Sequence, residues 1–244
     1  MNIALIGYGK MGKEIETLAK TNQHHIVCKI DIDNHNEIHS LQSNHVDVAF
    51  EFTTPSSAVE NINACFKQHI PVVCGTTGWY DHFQEISDLC KQTNGSLFYA
   101  PNFSIGVNIF MAISSYASEI MNSFLDNYSV RIEETHHTQK KDSPSGTAIT
   151  LANEVMNKIK SLTLWKNFLN ETPHSELQPE LPVFSFRKDN IVGNHKLIFD
   201  STSDTVTIEH NAKNRQGFAL GALAAAQFII SRKGIYTMHD LMKF

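Results

Sequence analysis

The sequence predicts an α/β chain in which a doubly wound parallel sheet is interrupted by an inserted α+β domain. Three observations carry this. Short apolar runs alternate with helix-spaced stretches through roughly the first hundred residues. After Phe103 the texture changes to longer helices and strands of period two. An Ala-rich, charge-poor stretch, residues 217–231, closes the chain and is suited to packing on the first sheet.

The elements follow in order. NIALIG (2–7) is a compact apolar run ending at glycine, and residues 10–20 place Met11, Ile15, Leu18 and Ala19 on one helical side. HIVCKID (25–31) and VDVAFEF (46–52) are further strand runs. Residues 56–68 form a helix candidate with Ser56 or Ser57 as N-cap. IPVVC (70–74) and SLFYA (96–100) complete the strands. Strands separated by helices pair in parallel, because each return must cross over the sheet.

Beyond Phe103, residues 106–122 read as a long helix, 128–135 as a half-exposed strand and 145–160 as a second helix. Residues 163–182, with little periodicity, read as a loop or insertion. Three strand-like runs follow (183–188, 194–200 and 204–210), joined by DNIVG and STSD. Connectors so rich in turn formers predict an antiparallel meander. The expected domains are 1–103 with 213–244, and 104–212.

Composition excludes several classes of function. Across 244 residues, 20 Lys+Arg stand against 25 Asp+Glu, a formal charge of −5. A mildly acidic balance argues against a nucleic-acid partner, which is held through basic contacts to phosphate. The longest apolar stretch, 217–230, falls short of the roughly 20 residues that cross a bilayer. The opening run 1–6 reads as a strand and not as a leader. Cys28, Cys65, Cys74 and Cys90 match no zinc or CxxC spacing and read as thiols of a reducing compartment. A soluble, cytoplasmic chain is expected.

Gly7, Tyr8, Gly9, Lys10, Met11 and Gly12 form GxGxxG directly after a strand and at the opening of a helix. The first glycine permits the turn, the second admits a pyrophosphate to the backbone, and the third allows close helix–strand packing. Asp31 ends the second strand about 20 residues on, where a carboxylate accepts hydrogen bonds from a ribose diol. Together these predict a Rossmann dinucleotide site. Asp31 disfavours a 2′-phosphate and no Arg follows it, which favours NADH with NADPH tolerated. Gly75, Thr76 and Thr77, then Ala100, Pro101, Asn102 and Phe103, follow two further strands where the cofactor should lie. By composition alone each is equally an ordinary turn.

The segment from Glu134 to Ala148 (ETHHTQKKDSPSGTA) carries the chemistry. If the strand persists through them, His136 and His137 point to opposite faces and do different jobs. Histidine exchanges protons near neutral pH, and Lys140 brings a fixed positive charge. Ser145, Gly146 and Thr147 open a helix whose free N–H groups bind anions. The combination suits a small substrate bearing carboxylates. Zinc is not expected, for want of further ligands at the usual spacing. Arg215 reads equally as a carboxylate contact or a surface charge.

GYGKMG, GTTGW, APNFSIGVN, EETHHTQKKDSPSGTA, RKDNIVGNHKLIF and EHNAKNRQGFALGAL occur in this order across nearly the whole chain. In these stretches the sequence resembles the 4-hydroxy-tetrahydrodipicolinate reductase (dihydrodipicolinate reductase) family of lysine and diaminopimelate biosynthesis. Ser143 stands where that family usually has Ala. The resemblance implies a Rossmann domain plus a mixed-sheet domain for substrate binding and tetramerisation, and hydride transfer from NADH or NADPH to a cyclic dicarboxylate. It implies that His136 is the proton donor/acceptor and Lys140 a catalytic proton donor. It also implies that His137, Gly146 and Thr147 contact substrate, and that the glycine loop, Asp31, Gly75–Thr77 and Ala100–Phe103 contact cofactor. Another two-domain dehydrogenase, such as one acting on an amino acid, would share GxGxxG without needing the His pair. A nucleotide-sensing regulator would be expected to carry a DNA-binding segment.

Overall fold

A computed structural model describes residues 1–173 and 179–243. The chain divides into two compact units, Met1–Ile105 with Arg215–Phe244, and Gly106–Asn214.

In the first unit, β1 (Asn2–Ile6) leads to α1 (Lys10–Thr21), β2 (His25–Ile30) and a 3-10 helix over Ile32–Ser40. Then come β3 (Val48–Glu51), α2 (Pro55–Lys67), β4 (Val72–Cys74), a 3-10 turn at Tyr80–His82, α3 (Phe83–Gln92) and β5 (Ser96–Tyr99). The second unit runs through α4 (Ile105–Met121), β6 (Ser129–His136), α5 (Gly146–Lys158), β7 (Leu164–Leu169), β8 (Glu180–Arg187), β9 (Gly193–Asp200) and β10 (Thr205–Ala212). The chain then re-enters the first unit as α6 (Gln216–Ile229), β11 (Gly234–Tyr236) and α7 (Met238–Met242).

The first sheet has the order β11-β5-β4-β3-β1-β2, every neighbour parallel. β3 and β4 are buried throughout, as strands covered on both faces must be. Period two sorts their side chains. Ala4, Ile6, Ala49 and Val72 pack with Ala58, Ile62 and Phe66 of α2 and Ile86 of α3. Ile3, Leu5, Val48, Phe50 and Val73 pack with Ile15 and Ala19 of α1 and Ala219, Ala222 and Ala226 of α6. The order reverses at β1, which lies between β2 and β3, so a crevice opens at the strand ends that carry Gly7, Asp31 and Phe52.

The Ala-rich helix does pack on the first sheet, and its small residues are a steric requirement. A Cβ on Gly221 would stand 1.7 Å from the Phe103 carbonyl oxygen. Two local expectations are corrected. α2 is capped at Thr54, not at Ser56 or Ser57, because Pro55 fits the first helical position, where no N–H is needed. Besides the expected elements, α3, β11 and α7 are present. β11 and α7 are too short for periodicity to reveal, and α3 is a short amphipathic helix burying only Ile86 and Cys90.

The second sheet is mixed, in the order β10-β9-β6-β8-β7. β6 runs antiparallel to β9 and parallel to β8. Two expectations fail here. Residues 163–182 are not simply a loop, because β7 and the start of β8 lie within them; residues 174–178 fall outside the described residues. The three-strand meander reduces to the β9–β10 hairpin, with β6 occupying the place between β8 and β9. α5 leads from β6 into β7, which pairs parallel to β8, and β8 in turn lies parallel to β6. α5 lays Ala148, Leu151, Ala152 and Val155 over Ile132, Leu181, Val183 and Leu197. Among the described residues no helix is long and apolar enough to cross a membrane.

Replacing Gly221 by Ala should destabilise the protein by about 1–3 kcal/mol, because a methyl group has no room beside the Phe103 carbonyl. Denaturant unfolding measures this directly, and an unchanged midpoint would show that the helix can shift at no cost.

Candidate active site

The glycine loop of the first unit is built as its spacing implies. Gly7 has φ +91°, and a Cβ there would meet the Phe52 carbonyl oxygen at 2.2 Å. A Cβ on Gly12 would meet the Gly7 carbonyl oxygen at 2.4 Å, so α1 seats directly on the turn. At Gly9 nothing lies within 4 Å, leaving the backbone open to a ligand. Gly9 caps α1 without a side-chain bond, and the first turn carries no acid. Free N–H groups and the positive end of the helix dipole are therefore available to an anion. Lys10 is exposed and Met11 half-buried in this turn. Tyr8 is tied down, its hydroxyl bonding Glu16 and Lys29.

Other residues expected around the cofactor are more occupied. Asp31 caps the 3-10 helix that follows it, Oδ1 accepting from the Ile32 N–H at 3.0 Å. Gly75 is obligatory, since a Cβ would fall 2.0 Å from the Phe52 ring. Thr76 is buried, and its hydroxyl accepts from the Thr53 N–H at 2.8 Å, joining the ends of β3 and β4. Thr77 and Pro101 are exposed, Ala100 and Phe103 buried, and Asn102 accepts from the Ser104 N–H at 2.9 Å.

In the second unit the inward stripe of β6 reads Val130, Ile132, Glu134, His136, apolar at first and ionisable at its end. Glu134 is fully buried. Its Oε2 lies 2.8 Å from His136 Nδ1, and its Oε1 accepts from the Ser145 N–H at 3.1 Å and from Arg187 at 3.3 Å. The register explains the gathering, for Glu134 is paired with Ser185 on β8 and with His195 on β9. Burial pushes the Glu134 carboxyl up, but the contacts with His136 and Ser145 outweigh it and hold the group well below the usual carboxylate range.

Ser145 caps α5, its Oγ accepting from the Ala148 N–H at 3.2 Å. The same oxygen lies 3.0 Å from His195 Nε2. Burial, reinforced by the neighbouring His136, lowers His195 from 6.5 to about 3. The ring is therefore neutral, and Ser145 donates its hydroxyl hydrogen to Nε2.

The strand does persist to His136, so its side chain turns inward, whereas His137 is half-buried just beyond the strand end. Lys140 is half-buried, its Nζ paired with Asp142 at 2.7 Å. Gly146 is exposed and Thr147 half-buried in the first turn of α5. Arg215 is exposed at the N-cap of α6, in the first unit. Reading the sequence misses Glu134, Arg187 and His195. Glu134 was detectable two residues before His136 on the same strand face; the other two arrive through cross-strand pairing. Arg187 donates to the carbonyls of Lys140 at 3.3 Å and Asp142 at 2.6 Å, bracing the loop after β6. Glu134, His136 and His195 bring three potential metal ligands together. Arg187 and the Ser145 N–H, however, already compensate the carboxylate.

Family models described as dihydrodipicolinate reductase, N-terminus, and dihydrodipicolinate reductase, C-terminus, match residues 1–103 and 106–242. The chain belongs to the dihydrodipicolinate reductase family. A 4-hydroxy-tetrahydrodipicolinate reductase from Christiangramia forsetii is 45% identical over 242 residues, covering 99% of this chain and 98% of the relative. One from Thermosipho africanus is 33% identical over 246 residues, covering 100% and 98%. A solved structure of a dipicolinate-bound dihydrodipicolinate reductase from Paenisporosarcina sp. TG-14 shares the fold, with a TM-score of 0.77 at 24% identity and 97% of each chain covered.

The neutral, buried His195 makes stability of this reductase-family chain depend on pH. Its imidazole stays unprotonated in the folded state and takes a proton in the unfolded one, so acid favours unfolding. The contribution is complete above 6.5 and is lost on the order of 1 kcal/mol per pH unit down to about 3. The depressed Glu134 carboxyl acts in the same direction below the ordinary carboxylate range. Denaturant unfolding from pH 7 to about 4 should show this slope, and His195→Gln should flatten it. Equal slopes in variant and wild type would remove His195 as the source.

Proposed function

We propose that this chain reduces 4-hydroxy-tetrahydrodipicolinate to tetrahydrodipicolinate in lysine and diaminopimelate biosynthesis, with His136 and Lys140 handling the proton. The observation that carries the reading is the full-length family match, joined to a buried carboxylate–imidazole pair beside the start of α5. The balanced reaction consumes one reduced nicotinamide, one proton and the hydroxylated ring, and yields the reduced ring, oxidised nicotinamide and water.

The cradle at Gly7, Gly9 and Gly12 fits a dinucleotide, since the first and third glycines let the turn and helix close against the Phe52 and Gly7 carbonyls and the second is open. Those glycines with Tyr8, Lys10 and Met11, Asp31, Gly75, Thr76, Thr77 and the stretch Ala100, Pro101, Asn102 and Phe103 would hold NADH or NADPH. When bound, the cofactor supplies the hydride. Thr76 acts there through its backbone and its tie to Thr53, because its hydroxyl is already engaged.

The rest is done by the chain's own groups. Backbone N–H groups of Gly146 and Thr147, at the capped start of α5, receive one substrate carboxylate. Ser145 sets that start, and His137 lies at the adjoining strand end. Arg215 provides a further guanidinium for carboxylate binding. His136 gives up a proton as negative charge develops on the substrate ring, and the ammonium of Lys140 stabilises that charge. Asp142 holds Lys140 within the loop that Arg187 braces. The second unit provides the substrate-binding and assembly surface of a homotetramer, and the enzyme acts in the cytoplasm on a small dicarboxylate.

His136→Ala and Lys140→Ala should each lower kcat by about 10²–10⁴-fold while circular dichroism shows the fold retained. Loss of reduced-nicotinamide absorbance with freshly generated substrate is the assay. Turnover within about threefold of wild type in both would take these side chains out of the reaction. Asp31→Ala should raise kcat/KM for NADPH relative to NADH, because it removes a charge that repels a 2′-phosphate. An unchanged ratio would place cofactor discrimination elsewhere.

A further inference from the structure

A buried carboxylate is costly unless its charge is paired and its lone pairs are used. Glu134 sits in the middle of a sheet, on the face covered by α5, where apolar side chains fill the earlier positions of the same strand. Its two oxygens face different partners, Oε1 through hydrogen bonds and Oε2 through a close ionic contact. Oε1 takes obligate donors, the Ser145 N–H and Arg187. Oε2 is left for His136 Nδ1 at 2.8 Å.

The His136 ring has little freedom beyond that contact. It lies edge-on to His195, with centroids 5.0 Å apart and planes at 71°. Its Nε2 is 3.1 Å from where a Cβ would stand at Gly193, so glycine leaves that side of the ring open. A carboxylate at Nδ1 demands a proton there. In the neutral imidazole this leaves the lone pair on Nε2, and in the charged one it leaves Nε2–H as the proton to be transferred.

We propose that Glu134 is the positioning residue of the reaction: one oxygen fixes the tautomer and orientation of His136, and the other fixes Ser145 at the carboxylate-binding start of α5. Proton donor and anion site are thereby held at a set spacing by a single rigid group. The proposal rests on His136 having the role given to it above. Glu134 itself touches neither substrate nor cofactor.

Glu134→Gln separates this from a structural role. Ser145 and Arg187 remain donors, so the amide oxygen must face them and the amide NH₂ must face His136. The imidazole is then forced to accept at Nδ1 and to carry its proton on Nε2. E134Q should lower kcat on the order of 10²–10⁴-fold, with KM for substrate within about threefold because the Ser145 contact survives. Nitrogen-15 NMR of the neutral ring should show Nδ1–H in the wild type and Nε2–H in the variant. Combining E134Q with H136A should cost nothing beyond H136A alone, as for groups acting in one chain.

Turnover of E134Q near the wild-type rate, a loss that multiplies with that of H136A, or Nε2–H in the wild-type ring would each overturn the proposal. Should E134Q fail to fold, the wild-type tautomer decides by itself. An inactive H136A with a fully active E134Q defeats only this proposal, whereas a fully active H136A defeats the functional reading beneath it.

Discussion

One buried negative charge organises the second unit. Glu134 lies on β6 between its two neighbouring strands and is fully buried. Everything around it answers that charge: Arg187 from the next strand, the Ser145 N–H from the start of α5 and His136 from two residues along. Arg187 then has donors to spare, and it spends them on the carbonyls of the loop that carries Lys140. The position of Lys140 on an otherwise irregular segment thus depends on a guanidinium recruited by a carboxylate. His195 completes the shell in the neutral form, accepting from Ser145 and adding no positive charge beside His136.

The first unit meets its constraint by removing atoms. At its crevice there is no room for side chains at Gly7 against the Phe52 carbonyl, at Gly12 against the Gly7 carbonyl or at Gly75 against the Phe52 ring. Phe52, following β3, is the common wall. The same logic extends to the opposite helix layer, where Gly221 admits the carbonyl of Phe103 and four nearby alanines are fully buried. One unit therefore shapes its glycine loop by steric exclusion, and the other orders an imidazole by charge compensation.

Much of this was legible in the chain and some was not, for physical reasons. The Rossmann loop declares itself because each glycine answers a local steric demand within six residues. The alternation of β6 and the capped start of α5 are local too. Arg187 and His195 are invisible to any local reading, because they join Glu134 only through strand pairing across about 50 residues of chain. β7 was hidden for another reason. It is an edge strand with exposed Leu164 and Leu169, so the burial that generates a period-two pattern is largely missing. Asp31 shows the converse, since the acid that the spacing suggests for ribose serves in the structure as a helix cap.

The unexpected strand order and the chemistry are the same fact. In a simple meander β8 would pair with β9, and β6 could not lie between them. Glu134 would then have lost either Ser185 or His195 as its flanking partner and would face water along one flank. A solvated carboxylate neither orders an imidazole nor holds a strong pair with it, because high dielectric weakens both. Placing β6 between a parallel and an antiparallel neighbour seals both flanks and brings in polar residues from two distant segments. The crossover through α5, which leads from β6 to β7, also delivers the Ser145 N–H to Oε1. A mixed sheet is the harder one to read from turns and periodicity, and it is the arrangement that gives this carboxylate a fully buried place next to His136.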